Sequence, residues 1–265
     1  MELTALIKER LYNNPLRNIS LLKMLSAYPD VMDVHHVEQG EQWGILMLLP
    51  STAYSYDHRV YPEADFIVFM DYSSPIVLPA LLELLPAQAN LVFKLQEEEY
   101  RVALAEHFSL HKVRGFFSYS TSAGQFPPQD TETILNHSID ERLIPLWEAN
   151  QYSIEEIIEY FQEGAFSVSV FQEGVAVSTC LSFRNTQQIW EIGAVHTVEC
   201  ARRQGLAQKV VRTAIFHTLE QGYIPRYHVL EDNYASIQLA ESLGLKPVVK
   251  LEHWINYPQY PYLSK

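Results

Sequence analysis

The run Ile189-Trp190-Glu191-Ile192-Gly193-Ala194-Val195-His196-Thr197-Val198 is strand-like. It leads through Glu199-Cys200-Ala201 into Arg202-Arg203-Gln204-Gly205-Leu206-Ala207. Beyond that turn, Leu206, Ala207, Val210, Val211, Ala214, Ile215, Thr218 and Leu219 recur in pairs four apart and make one apolar stripe. Gln208, Lys209 and Arg212 fall off the stripe, and Gly222 is the expected stop. A strand at 227–230 and a second helix, capped by Asn233 and ended by Gly244, complete the unit.

A strand, a glycine turn and a helix in that order make a cradle for phosphate. The first backbone N–H groups of a helix have no partner within it, and the macrodipole places partial positive charge there. A diphosphate can rest on those N–H groups when no side chain blocks its approach. Gly205 and the small Ala207 keep the approach open, and Arg202 and Arg203 add charge beside it.

Arg202-Arg203-Gln204-Gly205-Leu206-Ala207 matches the Arg/Gln-x-x-Gly-x-Gly/Ala signature of the GCN5-related N-acetyltransferases. The later Asn233-Tyr234-Ala235-Ser236-Ile237-Gln238-Leu239-Ala240-Glu241-Ser242-Leu243-Gly244-Leu245 is similar to that family's second motif. Two motifs in order are far more specific than either alone, and the resemblance covers roughly 144–254. It implies an α/β (α+β) class with a mixed, mostly antiparallel central sheet flanked by helices, the acyl-CoA N-acyltransferase fold. It also implies acetyl-CoA as co-substrate and an amine acceptor; no metal is expected, since neither cysteine sits in a Cys-x-x-Cys pair.

In this family the strand before the signature splays from its neighbour, and its backbone N–H groups bind the pantetheine arm and face the thioester oxygen. The resemblance gives that role to Val195, His196 and Thr197. It puts the diphosphate on Arg203, Gln204, Gly205, Leu206, Ala207 and Gln208, with Asn233 and Ser236 as further contacts. Glu191 is the candidate general base, since some members carry a catalytic glutamate upstream on this strand; it reads equally as an ordinary exposed strand glutamate. One departure stands out: where the family's second motif often carries a tyrosine that protonates the leaving thiolate, this chain has Ala240. Either the thiolate leaves unassisted, with a thiol pKa near ~8.5, or another group serves.

The remaining titratable groups carry less. His196 reads as a packed or solvent-facing histidine, and His35, His36, His107 and His111 lack ligand spacing. Cys180 and Cys200 form no Cys-x-x-Cys pair and read as incidental thiols of a reducing compartment.

At 265 residues the chain has room for two domains, expected at 1–125 and 126–265. The first half alternates helices (1–28, 79–85, 97–108) with strands (31–37, 43–49, 66–70, 91–95, 113–119), which predicts a smaller α/β domain. It has no Gly-rich strand-to-helix turn, and Pro75 and Pro79 crowd the comparable step, so it is expected to be a degenerate copy of the second half. A Ser-, Gly- and Pro-containing linker occupies 120–130. Then follow a capping box at Ser153-Ile154-Glu155-Glu156, a hairpin of 165–171 with 175–183, and a final strand at 246–254.

Lys plus Arg number 19 against 32 Asp plus Glu, a net charge of −13, which argues against nucleic acid and suits a cationic acceptor. No apolar run reaches the ~18 residues of a membrane span, and the charged N-terminus lacks a signal segment, so the expectation is a cytoplasmic protein off the membrane. The Tyr-rich tail at 257–262 would either pack on a second subunit in a homodimer or close the last sheet edge. The leading functional expectation is acetyl transfer to a primary amine. The alternatives are an acyl-CoA-binding regulator without turnover, favoured by Ala240, and a transferase using a longer acyl-CoA.

Overall fold

The hairpin expected around Gly40 forms between β1 (Asp33–Gln39) and β2 (Gln42–Pro50), with Gly40 at φ 63°. The structure, a computed structural model, describes residues 2–122, 126 and 128–258; the expected linker at 123–125 and 127 and the tail at 259–265 lie outside the described residues. Its contacts divide the chain into two units. One is Met1–Phe116 with Val249–Lys265, and the other is Phe117–Val248. The sequence reading instead placed a single boundary at 125/126.

In the first unit, helices α1 (Glu2–Tyr12) and α2 (Ile19–Ala27) precede the hairpin, and α3 (Ser55–Val60) follows it. Next come β3 (Phe66–Tyr72), α4 (Leu78–Leu82), β4 (Leu91–Leu95), α5 (Glu98–Leu104) and β5 (His111–Ser120). The last strand among the described residues, β11 (Lys246–Asn256), pairs antiparallel with β4, so the order is β1-β2-β3-β4-β11-β5. Side chains alternate across β2. Ile45, Met47 and Leu49 enter one core with Leu21 and Leu22, while Leu46 and Leu48 enter a second with Leu78 and Leu104. Burial on both faces explains why this strand reads as a continuous apolar run.

In the second unit each strand lies beside the next along the chain, from the one at Ile134–Asn136 to the one at Ile224–Leu230. Strand β6 (Ile134–Asn136) is followed by α6 (Ile144–Glu148) and α7 (Ile154–Gln162). Helix α7 opens with the full capping box between Ser153 and Glu156. Strands β7 (Phe166–Gln172) and β8 (Val175–Arg184) pair through a two-residue turn, Glu173 at φ 52° and Gly174 at φ 80°. Then come β9 (Ile189–Thr197), α8 (Leu206–Glu220), β10 (Ile224–Leu230) and α9 (Tyr234–Ser242). One core lies beneath α8 and α9, the other beneath α6 and α7.

The two units repeat one pairing pattern. In each, two antiparallel steps are followed by one parallel step: β1/β2, β2/β3, β3/β4 in the first and β7/β8, β8/β9, β9/β10 in the second.

Candidate active site at a splayed strand pair

The parallel ladder between β9 and β10 is short. It runs from Ile189↔Ile224 to Ile192↔Tyr227 and stops there, although both strands continue. The cause is visible on the other edge of β9. Its pairing with β8 slips register between Thr179 and Leu181, and Ala194 sits at φ 50°. A bulge adds local twist and bends the strand, and a non-glycine residue in the left-handed region is held there only by its surroundings. Beyond Ile192, β9 therefore leaves β10 and, among the described residues, presents an edge without a strand partner.

Of the three residues expected to bind an arm along that edge, two face it. Val198 N donates to Val177 O of β8 at 3.0 Å, so by strand alternation His196 also turns its backbone to β8, while Val195 and Thr197 face away. Their carbonyls accept from side chains instead, Val195 O from Asn150 Nδ2 at 2.9 Å and Thr197 O from Arg202 Nε at 3.2 Å. Burial, and then Arg202, lower the pKa of the His196 imidazole.

At the open end stands α8. Gly205 is its N-cap at φ 76° and supplies no side-chain cap; Arg203, two residues before, is also left-handed at φ 63°. The first intrahelical bond is Lys209 N to Gly205 O, so the N–H groups of Leu206, Ala207 and Gln208 precede the ladder and turn toward the helix mouth. Arg202, Arg203, Gln204 and Gly205 are exposed. Such successive N–H groups with alternating backbone hand form an anion-binding concavity. Gln204 and Gln208 are partly engaged elsewhere, Gln204 Oε1 with Gln172 Nε2 at 3.4 Å and Gln208 Nε2 with Ser242 Oγ at 2.7 Å.

Asn233 and Ser236 are both used to seat α9. Asn233 Oδ1 accepts from Ser236 N at 3.1 Å, and the Ser236 side chain bonds the hydroxyl of buried Tyr227, whose pKa burial pushes up to about 12. Ala240 is fully buried in the core under α8 and α9, while Tyr234 points into solvent.

Glu191 lies on the opposite face of β9. Its Oε2 accepts from Arg226 Nη1 at 2.5 Å and from Asn185 Nδ2 at 2.6 Å. Arg226 is 5% exposed; burial lowers its pKa against the opposing pull of Glu191, and an arginine remains charged regardless. Two neighbours on this face gave no signal in the sequence. Asn150 and Tyr152 belong to the link between α6 and α7, and a Cβ on Gly193 would meet the Tyr152 hydroxyl at 2.9 Å, so that hydroxyl lies over β9 just past the last β9/β10 pair. Arg226 and His228 were equally unreadable, because nothing in β10's apolar alternation marks the polar side chains it carries between them. Cys180 is buried, and its pKa is raised by burial; Cys200 is exposed. Among the described residues no group of three metal-ligating side chains occurs, and no helix is long and apolar enough to cross a membrane.

Comparison with known proteins gives a family match for part of the chain and likenesses of fold. Residues 130–253 match the family described as GNAT acetyltransferase. No curated protein matches the chain. Among solved structures, a GCN5-related N-acetyltransferase from Sphaerobacter thermophilus superposes with a TM-score of 0.57 at 14% identity, covering 88% of this chain and 84% of that one. An acetyltransferase of the GNAT family from Colwellia psychrerythraea gives 0.56 at 11% identity, covering 92% and 97%. A tandem GNAT protein from the clavulanic acid biosynthesis pathway gives 0.55 at 15% identity, covering 90% and 87%. At these identities the likeness establishes the fold.

Proposed function

Residues 130–253 match the GNAT acetyltransferase family, and we propose that the protein is an acetyl-CoA-dependent N-acetyltransferase of the cytoplasm that acylates a primary amine by direct attack on the thioester. The observation that carries the reading is the splay of β9 from β10 after Ile192, with the uncapped start of α8 at its open end. In this reading the amides from Arg203 to Gln208 hold the diphosphate, with Arg202 and Arg203 adding charge, and the outward N–H groups of Val195 and Thr197 hold the pantetheine arm. Acetyl-CoA supplies the activated acyl group; the protein supplies orientation and exclusion of water. An acidic chain of net charge −13 suits a cationic amine.

Glu191 is the candidate base from its place on β9. The partners of Oε2 give it a second occupation as counter-ion to buried Arg226. A pH–rate profile for Glu191→Gln separates the two: an unchanged profile removes the base role. The buried Ala240 favours a second reading, a protein that binds acyl-CoA without turnover. Calorimetry with acetyl-CoA followed by a free-thiol assay over an amine panel decides. Binding with thiol release supports the transferase, binding without release on every amine supports the regulator, and no binding removes both.

The first unit fits a degenerate copy of the same fold. Its parallel pair β3/β4 also ends early, after Val68↔Phe93. There the comparable groups are filled from within: Gln96 Nε2 donates to Met70 O at 2.9 Å, Ser74 caps Ile76 N, and Pro75 occupies the first turn. We expect that unit to bind no CoA.

A further inference from the structure

Arg226 reaches two further groups beside Glu191. Its Nε donates to Ser118 Oγ at 3.1 Å, and its Nη2 lies 2.8 Å from Nδ1 of His228, which Ser118 Oγ also meets at 3.0 Å. A guanidinium has donors only, so Nδ1 of His228 must be the acceptor. A neutral imidazole that accepts at Nδ1 carries its hydrogen on Nε2.

The place of His228 gives this tautomer a use. It is the residue of β10 immediately after the last pair, Ile192↔Tyr227, and it lies on the face of the sheet that carries Arg226 and Glu191, opposite Tyr227 and Val229. An arm anchored by phosphate at the start of α8 and running back along β9 past Thr197 and Val195 travels about 13 Å to Gly193, at roughly 3.3 Å per residue. Its reactive end then arrives where the two strands meet, beside His228. We propose that His228 is a hydrogen-bond donor to the acyl oxygen of the bound thioester through Nε2–H, and that Arg226 and Glu191 are positioning residues that fix its tautomer. The inference rests on the reading in which CoA lies along β9.

In the transfer, the amine nitrogen forms a bond to the acyl carbon, the C–S bond breaks with its electron pair passing to sulfur, and the proton shed by the nitrogen neutralises the thiolate. His228 keeps its own proton throughout. Its N–H stabilises the charge that builds on the acyl oxygen, a contribution worth roughly 10²–10³-fold in kcat when one such donor is removed.

The test uses the full-length protein labelled with 15N, with His228 assigned by its loss in His228→Gln. In the free protein the ring nitrogens should show an unprotonated Nδ1 and a protonated Nε2. Adding acetyl-CoA should move the Nε2–H resonance, and adding CoA should not. With an accepted amine, His228→Leu should lower kcat roughly 10²–10³-fold at unchanged acetyl-CoA affinity, and His228→Gln, which returns an N–H near the Nε2 position, should recover most of the loss. If neither CoA nor acetyl-CoA binds, the site reading falls and takes this inference with it. If acetyl-CoA binds but the Nε2–H signal stays in place, or the free ring carries its hydrogen on Nδ1, or His228→Leu keeps full kcat, the donor role alone is overturned.

Discussion

Gly205 is at φ 76°, yet a Cβ built there meets only Gln208 Oε1, at 3.9 Å. The glycine is needed for backbone conformation and for a ligand's close approach, not for room within the free protein. Gly205→Val should therefore leave a folded protein, less stable by left-handed strain of ~1–2 kcal/mol, whose acetyl-CoA affinity falls about tenfold or more because the side chain blocks the ligand's approach, as measured by calorimetry. Glu191 behaves differently. Replacing it by leucine strands the cation of Arg226 among buried strands, and urea unfolding should show a loss of about 3–5 kcal/mol, with Glu191→Gln losing less. In the first unit, burial, and then Arg10, lower the pKa of His36 below 6.5, against the pull of Glu38. The unfolded chain then takes the proton first, so this group's contribution is present at neutral pH and lost as pH falls through about 6.5 and below; His36→Gln should flatten that part of the stability profile between pH 7 and 5.5. The sequence announced Gly205 because a turn glycine before a periodic helix has a local signature. It could not announce what Glu191 touches, since Arg226 lies 35 residues away and meets it only through strand pairing.

The elements that were legible are those whose signal is local. The capping box at Ser153, the stripe of α8, the Asn233 cap and the Glu173-Gly174 turn each place a few residues under one constraint, and each formed as read. Strand β10 begins at Ile224, earlier than the 227 expected, because Pro225 and Arg226 look like poor strand residues. They are accommodated through the parallel pairing with β9, a tertiary cause. The short α3 was missed for the same reason: its Asp57 is buried against Lys94 of β4, with Nζ 2.7 Å from Oδ1. The splay of β9 was expected only through family resemblance, since no propensity encodes a register slip. Gly193 makes that strand testable. A Cβ there would meet Phe183 Cε1 and Tyr152 Oη, both at 2.9 Å, so Gly193→Ala should cost about 1–3 kcal/mol in thermal or urea unfolding.

For the whole molecule, the division of the chain is not a division of the sequence into two halves. Residues 249–265 belong to the first unit, where β11 lies beside β4 and Ile255 enters the core with Leu21 and Phe69. The family match, at 130–253, runs past that division. Deleting 249–265 should therefore expose 1–116 to limited proteolysis ahead of 117–248, a result that a simple two-domain split at 125/126 would not give.

The late return of β11 also sets an order of assembly during translation. Until residues 252–256 leave the ribosome, Leu91–Leu95 presents a bare edge of five buried residues that awaits Asn256 through Glu252. The region made first is thus completed last. While it waits, the nascent polypeptide carries a sticky ribbon of exposed amides, which makes it a natural client for chaperones and a point where truncated products would aggregate.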